Sequence, residues 1–264
     1  MRRQSGQLLW YVTGSIALCS LLLFACGFAF ALQPQLLAPT EPSAQPQGAV
    51  QPVPASDRDG QWKVVALGDS LTRGTGDVTG QGYVGLFREA YANRSKQPIQ
   101  LHNLAINGLT SAELLAQLAQ KQVQQLLASA DLILLTIGGN DLFRLSGGLY
   151  ELDEQGIEEA LAELKQNFAA ILDKLRAYNP QSMIVYIALY NPFGDTEAAA
   201  LTTPPLLEWN STAQQTAAQY DRVIVVPTYD LFAEKEAEYL YSDHFHPNSA
   251  GYSRIAERVL QAVD

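Results

Sequence analysis

The sequence predicts an α/β domain built on a mostly parallel, five-stranded sheet with helices on both faces. Three observations carry this expectation. Five short apolar runs alternate with helical patterns after residue 60, the order that yields parallel strands joined by crossover helices. One run, Asp131–Ile137, is apolar almost without interruption, as in a strand buried on both faces. After Gly156, the residues Ile157, Leu161, Leu164, Phe168, Ile171 and Leu175 recur at spacings of 4 and 3, marking one apolar helix face.

In order, the strands are predicted at Lys63–Leu67, Ile99–Leu104, Asp131–Ile137, Met183–Leu189 and Val223–Val226. Helices are expected near Val84–Ala92, from Ser111 to about Ser129, from Gly156 to the Asn179-Pro180 stop, around Leu206–Gln219, and from about Ala250 to Val259. No repeat and no second folded domain is evident.

The first 60 residues have a different character. Arg2 and Arg3 precede an uncharged run of 25 residues, Leu8 to Leu32. About 20 apolar residues suffice for a transmembrane helix, and the flanking arginines place the remainder outside the cytoplasm. The reading favours a retained single-pass anchor over residues 1–32. Two alternatives stay open: release by cleavage after Ala29-Phe30-Ala31, and lipidation at Cys26 within an imperfect lipoprotein box. Residues 33–60 hold six of the 13 prolines and read as a linker, leaving 61–264 as the folded domain.

Both cysteines, Cys19 and Cys26, fall in the apolar segment, so the domain is expected to be free of disulfides. All 27 acidic residues but only 15 of the 17 basic ones follow residue 32, a net charge of −12 that argues against nucleic-acid binding. Oligomeric state is not legible.

Chemistry-bearing residues stand just after the predicted strands. Ser70 lies in Gly68-Asp69-Ser70-Leu71, Gly108 ends Asn103-Leu104-Ala105-Ile106-Asn107-Gly108, and Asn140 lies in Gly138-Gly139-Asn140-Asp141. In parallel sheets ligands bind beyond the C-terminal strand ends, so these three should meet on one edge. Asp243 precedes His246 by three, near enough to fix the imidazole tautomer. Each residue also has a plain structural reading: a helix cap for Ser70, turn formers for Gly108 and Asn140, a loop residue for His246. His244 is a local rival to His246, and His102 reads as a strand residue. A third and fourth ligand to complete a metal site with these histidines is not evident, so no metal and no cofactor is expected. No Gly-x-Ser-x-Gly elbow is present, which disfavours the α/β-hydrolase fold.

Taken together in this order, the four blocks resemble those of the GDSL-type SGNH hydrolases, over about residues 62–264. The resemblance implies a three-layer α/β/α, flavodoxin-like fold and serine esterase or lipase chemistry. It further implies Ser70 as nucleophile, His246 as base and then acid, Asp243 as its orienter, and oxyanion donors from Ser70, Gly108 and Asn140. The tether and linker resemble those of membrane-bound members from spore-forming bacteria. Expected substrates are lipid esters or O-acetyl groups on wall polysaccharide, with a non-catalytic wall-binding relic as the rival class. Leu71, Tyr83, Leu109, Leu142 and Phe143 flank the motifs and are candidates for an acyl groove or, equally, for the core.

Overall fold

The computed structural model describes residues 60–144 and 154–263, with helical positions Ser15, Ala17, Leu18, Ser20 and Leu21 near the N-terminus. The chain divides into two units, Met1–Gly48 and Ala49–Asp264. The expected anchor and linker lie outside the described residues, apart from those five positions and Gly60. Among the described residues, no helix is long and apolar enough to cross a membrane.

In the second unit five strands, β1 (Trp62–Leu67), β2 (Ile99–Asn103), β3 (Leu132–Leu135), β4 (Met183–Ile187) and β5 (Val223–Val226), form one sheet. All pairings are parallel and the order is β2-β1-β3-β4-β5. The chain steps from β1 outward to β2 and then returns to the other side of β1, so β1 and β3 flank the switch point where such sheets bind ligands.

Side-chain alternation gives the sheet two apolar faces. Val64, Ala66, Leu132, Leu134, Val185 and Ile187 pack under α2 (Gly82–Ser95) and α10 (Ser249–Val263), against Tyr83, Phe87, Tyr252 and Ile255. Val65, Leu67, Ile133, Leu135, Ile184 and Tyr186 face α3 (Ser111–Leu118), α4 (Lys121–Ala128), α6 (Glu154–Tyr178) and α7 (Ala199–Ala217). The result is three layers with the sheet in the middle.

The expected helix from Ser111 to Ser129 is two helices. Gln120 is extended, and the Gln124 amide takes up the Leu118 and Ala119 carbonyls at 3.2 and 3.3 Å, satisfying the groups the break exposes. The helix expected at Leu206 begins at Ala199 and contains Pro204 and Pro205. Proline's fixed φ suits a helix, but at the sixth and seventh positions each ring forgoes an i→i−4 bond, to the Ala200 and Leu201 carbonyls. Asn191 secures that region through Thr202 and Thr203 at 3.1 and 2.9 Å. The third and fourth strands end two residues earlier than expected, at Leu135 and Ile187.

Candidate active site

The turn after β1 is set by Gly68, whose φ is 129° and whose missing Cβ would stand 2.1 Å from the Thr136 carbonyl oxygen. Asp69 then caps a short helix, α1 (Ser70–Arg73), by accepting the Leu71 N–H at 3.0 Å. The Thr136 hydroxyl donates to the same carboxylate at 2.8 Å. Burial pushes the Asp69 carboxyl above its ordinary value, against the lowering effect of these bonds. Ser70 is thus held at a helix start, its backbone fixed from both sides.

His246 reaches Ser70 from the far end of the chain. Two short helices, α8 (Tyr229–Phe232) and α9 (Glu236–Tyr239), lead into a loop closed by the Tyr241 N–H on the His246 carbonyl at 2.7 Å. Leu240 and Pro247 pair as an isolated antiparallel bridge across its base. Within the loop, Asp243 Oδ1 accepts the N–H groups of Phe245 and His246, each at 3.0 Å. Asp243 Oδ2 lies 2.7 Å from His246 Nδ1, and His246 Nε2 lies 2.8 Å from Ser70 Oγ. Partial burial would raise the Asp243 carboxyl, but the bonds from the His246 ring and from the two N–H groups hold it below its usual range. A hydroxyl, an imidazole and a carboxylate in this chain of contacts can pass a proton from oxygen to nitrogen.

Asn140 stands on α5 (Gly139–Arg144), just past β3, and faces the same cleft as Ser70 and His246. Its side-chain amide donates to the Leu109 carbonyl at 3.0 Å, which fixes the orientation of that amide. Gly108, at φ 76°, occupies the adjoining turn one residue before Leu109 and is not among the residues lining the cleft. Immediately behind these two, Asp141 accepts from Ser111 across 30 residues of sequence. Three of the five singled-out residues, Ser70, His246 and Asp243, therefore meet directly, Asn140 lines the same cleft, and Gly108 lies one residue from the Leu109 carbonyl that Asn140 holds. The other histidines are elsewhere: His102 lies on β2, and His244 is exposed in the loop at φ 52°.

The cleft beside Ser70 has a volume of about 40 Å³. Leu71 and Phe143 line it as the sequence suggested, but Tyr83, Leu109 and Leu142 are buried in the core. The other bulky apolar walls are Leu189, Tyr190, Pro192 and Phe245. Sequence reading passed over these four, although the first three follow β4 on the same sheet edge, which was the available signal. Tyr190 is fixed by its hydroxyl on the Phe245 carbonyl at 2.6 Å and by stacking on Phe232 at 4.1 Å. Among the described residues, no three His, Cys, Asp or Glu side chains gather as a metal site.

Residues 66–254 match the family model of the GDSL-like lipase/acylhydrolases. The chain is 34% identical over 209 residues to YpmR of Bacillus subtilis, covering 76% of this chain and 80% of that one. It is 31% identical over 207 residues to the spore germination lipase LipC of Bacillus licheniformis, covering 75% and 94%. The crystal structure of the lipase Lip_vut3 from a goat rumen metagenome superposes with a TM-score of 0.66 at 30% identity, covering 76% of this chain and 97% of that one. A match along nearly the whole domain and relatives this similar place the chain in the GDSL-like lipase/acylhydrolase family, as a carboxylic ester hydrolase.

Proposed function

We propose that this chain is an extracytoplasmic serine esterase whose nucleophile is Ser70. The observation that carries the reading is the continuous contact from Ser70 Oγ to His246 Nε2 at 2.8 Å and from His246 Nδ1 to Asp243 Oδ2 at 2.7 Å. With Nδ1–H donated to Asp243, Nε2 accepts the Ser70 proton as Oγ attacks the ester carbonyl. The carbonyl oxygen becomes an oxyanion, held by the N–H groups of Ser70 and Gly108 and by the Asn140 amide. The imidazolium returns the proton to the alcohol as the C–O bond breaks. Water, deprotonated by His246, then attacks the acyl carbon, and the imidazolium returns that proton to Ser70 Oγ as its bond to the acid breaks. No cofactor enters any step.

The chain is read as residues 1–32 anchoring, 33–60 spacing and 61–264 catalysing. Support comes from the two arginines ahead of the uncharged 8–32 run. Protease treatment of intact cells should remove the domain while the chain sediments with membranes. Recovery in the medium, cut near Ala31, would mean release instead.

Kinship to a protein named a spore germination lipase favours lipid esters. A specific observation favours a second reading, a short-acyl esterase acting on O-acetyl groups of wall polysaccharide. The cleft beside Ser70 is narrow, about 40 Å³, and walled by Phe143, Leu189, Tyr190 and Phe245 before it opens to solvent, a shape that suits a short acyl group next to the nucleophile. Hydrolysis of p-nitrophenyl acetate and p-nitrophenyl octanoate, beside Ser70→Ala, tests both levels. Ser70→Ala should lower turnover by about 10⁴-fold or more. Wild-type turnover in that variant would end the mechanism, and a faster octanoate reaction would end the short-acyl reading.

A further inference from the structure

Asp141 is buried, and both of its carboxylate oxygens serve one distant residue. Oδ1 and Oδ2 accept the Ser111 N–H at 3.0 and 3.1 Å, and the Ser111 hydroxyl also donates to Oδ1. Asn167, on α6, donates to that hydroxyl at 2.9 Å. Asp141 supplies an acceptor that α3 itself does not have, and it does so from another loop. That helix already has a reciprocal cap, in which Thr110 accepts the Glu113 N–H and Glu113 accepts the Thr110 N–H at 2.9 Å.

What Asp141 adds is a connection between two loops. Ser111 ends the turn that contains Gly108, and Asp141 directly follows Asn140. One position before Asp141 and two before Ser111, the Asn140 amide donates to the Leu109 carbonyl at 3.0 Å. The loops after β2 and β3 are thus fastened to each other twice. They belong to strands that are not neighbours, since β1 lies between β2 and β3. Sheet pairing alone therefore leaves their tips free to move apart. Donors serving one oxygen must each come within about 2.7–3.1 Å of it, which such freedom would spoil.

We propose that Asp141, acting through Ser111, is a positioning residue that holds Gly108 and Asn140 in register so that both face one oxyanion. The inference rests on the reading of Gly108 and Asn140 as oxyanion donors. It predicts a loss confined to the transition state, because the ground-state ester gains little from those donors.

The experiment uses the full chain, p-nitrophenyl acetate, and an alkylboronic acid as a tetrahedral analogue. Asp141→Ala should lower kcat by about 10- to 100-fold with KM changed less than about twofold, and should weaken the boronic acid by a similar factor. Asp141→Asn, which still offers an oxygen to the Ser111 N–H, should restore most of the loss. In an Asn140→Ala background the further cost of Asp141→Ala should shrink, as expected for groups acting as one unit. If Asp141→Ala does not fold, Ser111→Ala decides, with a smaller loss of the same kind. A lowered melting temperature with unchanged kcat and boronic-acid affinity would overturn the proposal and leave Asp141 a fold residue. Unchanged turnover in Asn140→Ala would overturn the oxyanion reading itself, whereas a slow Asn140→Ala beside a normal Asp141→Ala would overturn this inference alone.

Discussion

Gly76 lies against His246: a Cβ placed on Gly76 would stand 3.0 Å from the His246 Cβ and 2.6 Å from the Pro247 carbonyl oxygen. The segment that follows α1 is therefore the back wall of the His246 loop. The Tyr252 hydroxyl holds that segment through the Thr75 carbonyl at 2.7 Å. The His246 loop thus packs on a glycine six residues after the serine.

Gly76→Ala should push His246 off Ser70 and lower kcat by about tenfold or more, since displacements on the order of 1 Å cost about 10²-fold. Gly80→Ala is the control. Gly80 has a φ of 70° in the same loop but nothing within 4 Å of a built Cβ, so its substitution carries backbone strain without the contact. Esterase kcat and thermal unfolding of the two variants, side by side, check this. Equal kcat values would contradict a steric role for Gly76.

Asp77 anchors the same loop to α10. Its oxygens accept from Thr79, Gln81 and Gly82 and from the Ser249 hydroxyl. Burial would raise its carboxyl, but the bonds from Ser249, Thr79 and Gly82 hold it at about 2, below the ordinary 3.8. A carboxyl depressed by folding stabilises fully above its unfolded value and loses that contribution as pH falls through the folded one. Asp77→Asn should thus cost about 2 kcal/mol at neutral pH, a difference that closes between about pH 4 and pH 2. Urea unfolding of both proteins across that range is the check; a constant difference would mean the charge is not responsible.

Asn179 joins the end of α4 and the turn after it to the turn between α6 and β4, away from the sheet edge that carries the cleft. Its amide donates to the Leu127 and Ala130 carbonyls at 2.9 and 2.8 Å, and its oxygen accepts from Gln181 and Ser182 at 3.0 and 2.9 Å. Asn179→Ala strands those groups in the interior and should destabilise by about 2–4 kcal/mol. At a temperature where the variant remains folded, kcat should match that of the wild type.

Phe143 borders the cleft and meets Phe193 edge-on at 5.5 Å. Phe143→Ala should enlarge the acyl space and raise the octanoate-to-acetate rate ratio by about tenfold, the scale of a few methylene contacts. An unchanged ratio would place the limiting wall elsewhere in the cleft.

Much of this arrangement is legible in the sequence because it follows from local pattern. Val223–Val226 is a strand from end to end, and α6 stops at Asn179 as its sequence indicates. Ser70 and Asn140 were found by their place after apolar runs, because the C-terminal ends of parallel strands share one edge. Most of what escaped depends on distant partners. Nothing local marks the break at Gln120, whose exposed carbonyls are satisfied by the Gln124 amide. Pro204 and Pro205 conceal the true start of α7, which Asn191 secures from outside the helix. Tyr190, Gly76 and Asp141 matter through residues 55, about 170 and 30 positions away, and single-chain periodicity carries no trace of such contacts.

In the proposed mechanism Ser70 forms a covalent acyl-enzyme with the help of His246. Incubating the full chain with a small alkyl fluorophosphonate and mapping the adduct by mass spectrometry tests it most directly. One adduct per chain on Ser70 is expected, absent in Ser70→Ala and formed far more slowly in His246→Ala. An adduct on another residue, or equal labelling of His246→Ala, would contradict the account.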